Sequence, residues 1–266
     1  MTSPTSFHAL RFGRAATAYE AAAGVQARMA DTLLGLWGDG AAPARVLEFG
    51  CGTGLLTRRL AARFPAAAIT ATDAAPEMLE VARAALAGSG GHLAFRELDA
   101  RAGSRTTGGP QGTPPDLLAS NALVQWFPDL AAHFRFAASL ASPGAHYLVS
   151  GFDRANFPEL NALLSAPPFG YQAFPGHTRE AVEVAVSEGG WQVSGFVGWE
   201  EVEVLPTPRA VLARVQDLGA VRDPRAGGRM TRANLAWLLA EYAKRFSAEG
   251  GVRLTWKPWA AVLSLD

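Results

Sequence analysis

The chain predicts an α/β protein with a doubly wound, mostly parallel sheet, an antiparallel terminal strand and helical cap insertions. Three observations predict it. From residue 45 to residue 152, short apolar runs alternate with segments of helical periodicity. A glycine turn, Gly50-Cys51-Gly52-Thr53-Gly54, joins the first apolar run to the helical segment after it. The late segments run helix, strand, insertion, strand, an order compatible with an antiparallel terminal hairpin.

Each element follows from its local pattern. Phe7 to Trp37 reads as helical, with Val25, Met29, Leu33 and Leu36 at helical spacing, and Gly38 to Pro43 breaks it. "RVLEF" is a strand and "LLTRRLAARF" a helix closed by Pro65. "AAITATD" is the next strand, and "PEMLEVARAAL" a helix with proline near its start. "HLAFRELD", "DLLASNAL" and "HYLVSGF" are strands, the last two separated by a helix around Leu130 to Leu140. "ARAGSRTTGGPQGTPP" is a surface loop by composition. After Phe152 prolines and aromatics mark an insertion over the sheet edge, and "TREAVEVAVSEGG" resumes as a helix. "WQVSGFVGWEEVEVL" reads as one long strand. "TPRAVLARVQDLGA" is a helix capped by Thr207 and stopped by Gly219, and "TRANLAWLLAEYAKRF" one capped by Thr231. "VRLTWKPWAAVLSL" closes the chain as a strand interrupted by Pro258. The expected organisation is a single domain over residues 1–266, with a helical lid at 1–37 and cap insertions at 152–178 and 206–250.

Totals exclude several classes. Hydrophobic residues make up 49% of the 266, enough for a sizeable core. The formal net charge is +0, so neither a nucleic-acid groove nor a membrane-binding surface is expected. One cysteine, Cys51, rules out an intrachain disulfide and favours a reducing, cytoplasmic setting. The opening residues have no apolar core of signal-peptide type. The five histidines have no metal-ligand spacing, and a monomer is the expectation.

The glycine turn is the chemical centre of the sequence. Glycines allow close backbone approach, and the helix that follows presents free N–H groups to a ligand. The dinucleotide fingerprint would place its third glycine at Leu55, but here it is at Gly54, which weakens a nicotinamide reading. Glu48 precedes the turn, Asp73 ends the next strand and Asp99 the third. A lone acid at a strand end is ordinarily a cap. Three acids and a glycine turn at one sheet edge form a ligand site.

On these residues the sequence resembles the class I S-adenosylmethionine-dependent methyltransferases. "LEFGCGTG" is similar to their first motif, "TATDAAPEMLEVAR" to their second-strand motif and "RELDA" to their third. The resemblance implies that Gly50, Gly52 and Gly54 pass close to the amino-acid part of S-adenosylmethionine. It implies that Asp73 holds the ribose, that Asp99 faces the adenine amino group, and that Ala74 and Ala100 give backbone or apolar contact. Glu48, Cys51, Met78 and Asn121 complete the expected cofactor-binding set. Cys51, close to the cofactor, is expected to be sensitive to alkylation without being a nucleophile.

Four further stretches bear on the acceptor: "FGRAATAYEAAAGVQARMADTLL", "SNALVQWFPDL", "LPTPRAVLARVQDLGAVRDPR" before "MTRANL", and "LTWKPWAAVL". Together they resemble the malonyl-(acyl-carrier-protein) O-methyltransferases of biotin synthesis, from Phe12 to Leu263. One departure is Thr255-Trp256, where that family commonly has Thr-Tyr. The resemblance implies methyl transfer to the carboxylate of a malonyl thioester, with malonyl-loaded acyl carrier protein as partner. Tyr19, Gln125 and Trp126 are the candidate catalytic residues; apolar packing is the ordinary role of Tyr19 and Trp126 by spacing alone. Arg222, Arg225, Arg229 and Arg232 would steer an acidic carrier. Two other readings stay open: a methyltransferase for another free carboxylic acid or a quinone precursor, and a non-catalytic cofactor-binding module.

Overall fold

This computed structural model describes residues 24–88, 92–101, 112–165, 169–170, 176–217 and 231–266. In chain order the elements are α1 (Gly24–Trp37), β1 (Arg45–Phe49), α2 (Leu55–Arg63), β2 (Ala68–Asp73), α3 (Pro76–Ala85) and β3 (His92–Glu97). β4 (Leu117–Ser120), a 3-10 turn (Val124–Trp126), α4 (Leu130–Leu140), β5 (His146–Phe152) and α5 (Pro158–Leu164) follow. The chain ends with α6 (Arg179–Glu188), β6 (Trp191–Gly198), β7 (Glu201–Leu205), α7 (Pro208–Asp217), α8 (Arg232–Arg245), β8 (Ser247–Ala248), β9 (Gly251–Trp256) and β10 (Pro258–Leu265).

The main sheet has seven strands in the order β3-β2-β1-β4-β5-β10-β6. It is parallel from β3 to β5, and β10 lies antiparallel between β5 and β6. The strand order reverses between β1 and β4, and this opens a crevice at their carboxyl ends. Alternation of side chains across each strand explains why both faces are apolar. Val46, Ile69, Leu117 and Leu148 meet Leu33 of α1 and Leu56 and Leu60 of α2. Leu47, Phe49, Leu118, Tyr147 and Val149 meet Phe134 of α4 and Val182 and Val186 of α6.

The predicted long strand is two strands in two sheets. Backbone pairing to β10 ends at Gly198, and β7 joins a three-stranded sheet, β7-β9-β8. The last strand divides in the same place, at Lys257, between β9 and β10. One long hairpin thus bends from the main sheet into a small one, and the insertion between β7 and β9 carries α7, α8 and β8.

The insertion after Phe152 carries a helix that the prolines concealed, α5, whose Pro158 sits in its first turn. Phe157, Leu160, Leu163, Val211, Leu238, Tyr242, Leu254 and Trp256 form a second core under these insertions. Trp256 is fully buried there, 4.7 Å from the Phe157 ring, and donates to Glu203 Oε2 at 3.2 Å. Thr207 and Thr231 cap α7 and α8 as the sequence predicts, each accepting an amide N–H at 3.1 Å. Gly219 and the residues before Gly24 lie outside the described residues.

Candidate functional site

The crevice is floored by the turn from β1 to α2. Gly50, Gly52 and Gly54 all have left-handed φ values, 65°, 54° and 89°. They differ in what a side chain would meet. A Cβ at Gly50 would stand 2.8 Å from the Leu123 side chain, and one at Gly54 2.9 Å from that of Leu86, so both positions are filled by neighbouring leucines. A Cβ at Gly52 meets nothing within 4 Å. Bare backbone at Gly52 therefore faces open space.

Asp73, the last residue of β2, holds this turn. Its Oδ2 accepts the Gly52 N–H at 2.9 Å and its Oδ1 the Ala75 N–H at 2.9 Å. Burial raises its pKa, against the lowering effect of those amides. A carboxylate has about four acceptor positions, so acceptor capacity remains for a ligand diol. Glu48 is only 1% exposed and takes the Thr57 hydroxyl at 2.6 Å. Burial pushes its carboxyl up to about 8. Cys51 is 5% exposed, and burial pushes its thiol well above the ordinary value. The expected alkylation sensitivity is therefore corrected: a buried thiol held in its protonated form is a poor nucleophile.

Asp99 lies two residues beyond β3, not within it. Its Oδ1 accepts the Arg101 N–H at 3.0 Å, and the Arg101 guanidinium pairs with the carboxylate at 2.6 Å. Ala100 is buried beside it, Met78 is buried on α3, and Ala74 is partly exposed.

On the other side of the crevice, Asn121 follows β4. It donates to the Gln26 carbonyl of α1 at 3.0 Å and accepts the Ser150 hydroxyl at 2.7 Å. Asn121 thus ties the first helix to the sheet. Ala122 has a φ of 52°, a conformation that costs a residue with a Cβ about 1 kcal/mol. Its N–H donates to Ser150 Oγ at 3.2 Å and its carbonyl accepts from Gln125 Nε2 at 2.6 Å. Gln125 Oε1 is buried without a partner, as are Gln26 Oε1 and Thr53 Oγ1. Trp126 packs between the two cores.

The structure brings together Glu48, Gly50, Cys51, Gly52, Gly54 and Asp73 around one turn, and Asn121, Gln125 and Trp126 around another. Tyr19, Arg222, Arg225 and Arg229 lie outside the described residues, and Arg232 begins α8. Two participants were missed. Thr57 is one helical turn past the glycines and was a legible partner for an upstream acid. Ser150 could be found only from the pairing of β4 with β5. His177 is partly buried, its Nε2 has no hydrogen-bond partner, and burial lowers its pKa. Among the described residues no group of three His, Cys, Asp or Glu is placed to hold a metal ion. No described helix is long and apolar enough to cross a membrane.

Comparison with known proteins agrees with this arrangement. Residues 47–147 match the family model described as a methyltransferase domain. A solved putative methyltransferase from Bacillus halodurans superposes with a TM-score of 0.61 at 14% identity, covering 88% of this chain and 97% of that one. A malonyl-(acyl-carrier protein) O-methyltransferase of Geobacter sulfurreducens is 32% identical over 254 residues, 92% of this chain and 93% of that protein. A trans-aconitate 2-methyltransferase of Methylobacterium nodulans is 41% identical over 133 residues, 48% of this chain and 47% of that protein. Fold, glycine turn and strand-end acids define a class I S-adenosylmethionine-dependent O-methyltransferase. Within that class the chain belongs to the malonyl-(acyl-carrier protein) O-methyltransferase family.

The residues present fit the cofactor. The space beside Gly52 admits backbone approach by an amino-acid moiety, and the orphaned Thr53 hydroxyl lies in the same turn. Asp73 retains acceptors for a vicinal diol.

Proposed function

We propose that the chain transfers a methyl group to the free carboxylate of a malonyl thioester, with malonyl-acyl carrier protein as the preferred acceptor. The observation that carries this reading is the extent of similarity to the Geobacter sulfurreducens enzyme, which includes the cap insertions as well as the cofactor half. The shorter match to a trans-aconitate methyltransferase supports the alternative, a small free polycarboxylic acid.

When bound, S-adenosylmethionine supplies a methyl group on a sulfonium, which a carboxylate takes by displacement with no proton transferred. A malonyl carboxylate is ionised near neutral pH, so no general base is needed. The protein's task is then binding, orientation and exclusion of water. In this reading Asp73 holds the ribose, the Gly50–Gly54 turn holds the amino-acid part, and Asp99 takes the adenine amino group once it shares its carboxylate with Arg101. Ala74, Met78 and Ala100 line the adenosine side. Glu48 orders the turn from below through Thr57. Gln125 and Trp126, with Tyr19 from the amino-terminal segment, orient the acceptor. Residues 1–37 include a lid, and the 152–178 and 206–250 insertions form the acceptor cap. The arginines from Arg222 to Arg232 meet the acidic carrier.

The test is a mass-spectrometric assay of methyl ester formation on malonyl-acyl carrier protein, malonyl-coenzyme A, free malonate and trans-aconitate. Higher kcat/KM on the carrier-bound malonyl group is expected; preference for a free acid would overturn the reading.

A further inference from the structure

A buried chain of hydrogen bonds crosses the sheet core and ends at the cofactor loop. His133 of α4 is fully buried. Its Nδ1 lies 2.8 Å from the Ala100 carbonyl and its Nε2 2.9 Å from the Tyr147 hydroxyl, which lies 2.9 Å from Ser120 Oγ. The donors can be assigned. A carbonyl only accepts, so Nδ1 carries the proton and donates to Ala100. A neutral imidazole then accepts at Nε2 from the Tyr147 O–H, and Ser120 donates to Tyr147. Burial lowers the His133 pKa to about 4, so the ring stays neutral and this direction holds at neutral pH. Phe127, with ring centroid 4.6 Å away, and Phe49 at 5.6 Å fix the ring laterally.

The far end of the chain gives it meaning. The carbonyl that His133 holds belongs to the peptide between Ala100 and Arg101. The N–H of that same peptide donates to Asp99 Oδ1 at 3.0 Å. A peptide is planar, so fixing its carbonyl fixes the direction of its N–H. We infer that His133 is a positioning residue for the adenine end of the cofactor site: through the Ala100–Arg101 peptide it aims the Asp99 carboxylate. This rests on the reading of Asp99 proposed above. Tyr147 and Ser120 fix the imidazole in turn and touch neither cofactor nor acceptor.

The experiment compares calorimetric binding of S-adenosylhomocysteine with that of S-inosylhomocysteine, in which a carbonyl replaces the adenine amino group. The parent is expected to prefer the adenosyl compound. Asp99→Ala removes that preference if Asp99 takes the amino group; if the preference survives, the Asp99 reading falls and this inference with it. Folded His133→Phe is expected to narrow the preference about fivefold or more, the scale of a misdirected charge-assisted hydrogen bond. An unchanged preference in that variant, beside a lost one in Asp99→Ala, overturns this inference alone. His133→Asn keeps a donor near Nδ1 and gives up the bond to Tyr147. It is expected to hold the parent preference, whereas a value as low as that of His133→Phe would assign the effect to packing. If the phenylalanine variant does not fold, nitrogen NMR of labelled histidine in the parent decides. The His133 Nδ1 signal should differ between the two complexes, and identical signals would contradict the proposal.

Discussion

Glu48 under the glycine turn and Glu159 under the cap are both buried carboxylates, 1% and 3% exposed, and they serve opposite ends. Glu159 of α5 is surrounded by donors: the Thr255 N–H at 3.0 Å, the Thr255 hydroxyl at 2.6 Å and Arg253 at 3.4 Å. It fastens the cap to β9. Glu48 has only Thr57 as a side-chain donor; burial first, and the nearby Asp73 carboxylate after it, make its ionised form costly. A carboxylate with a full set of donors is a fastening. One left short of donors beside an open turn stays protonated near neutral pH until a positive charge beside it stabilises the ionised form.

The largest expected effect breaks the fastening. Glu159→Ala leaves two Thr255 groups without their acceptor and should cost about 3 kcal/mol, on the scale of hydrogen bonds to charged groups. Thermal melting measures it. An unchanged melting temperature would mean that the cap is held by its apolar core alone.

The turn side is tested by pH. The Glu48 carboxyl has a folded pKa of about 8 against a model-peptide value of 4.5. A raised folded pKa means that the folded state binds more protons between those values. Its contribution to stability is therefore full below about pH 4.5 and is lost as pH rises through about 8. Without cofactor the parent should lose about 2 kcal/mol between pH 6 and pH 8 from this group, while Glu48→Gln should be flatter. Equal slopes in the two proteins would show that Glu48 is ionised throughout.

Asp73→Ala sharpens the same side. It removes the proposed ribose acceptor and the acceptor for Gly52 N–H at 2.9 Å, while the β1–β2 pairing remains. Affinity for S-adenosylhomocysteine should fall at least about tenfold, or roughly 1.4 kcal/mol. A folded variant with parent affinity would remove Asp73 from the site.

The smallest effect concerns the rim of the cap. Replacing Arg222, Arg225 and Arg229 together with alanine should lower kcat/KM on malonyl-acyl carrier protein a few-fold and flatten its salt dependence, because rim charges act mainly on association. Cofactor affinity should not change. Parent behaviour at every salt concentration would place carrier docking elsewhere.

These two regions also differ in how far their sequences could be read. The turn between β1 and α2 was legible because its signals are local: three glycines at left-handed φ, an acid two residues before the first, and another at the next strand end. The cap was legible mainly as an interruption. Glu159 meets Thr255 across 96 residues, and no local pattern announces that pair. The split of the late strands at Trp199 and Lys257 was hidden for a similar reason, since each half keeps strand periodicity and only pairing distinguishes the two sheets. Cys51 misled because adjacency to a ligand turn in sequence was taken for accessibility, whereas its side chain packs beside Ala71, Leu79 and Ala82. His133 offered no signal in the sequence beyond the lack of metal-ligand spacing, because its partners lie on β5 and beyond β3.

The proposed preference for a carrier-bound acceptor is tested most directly by competition. Malonyl-acyl carrier protein and trans-aconitate are supplied together at equal concentration, below the KM of each, and the two methyl esters are counted by mass spectrometry. A cap that recognises a malonyl group on an acidic carrier predicts that the carrier ester dominates and that Asp73→Ala lowers both products together. Predominant methylation of trans-aconitate, with the carrier untouched, would contradict it.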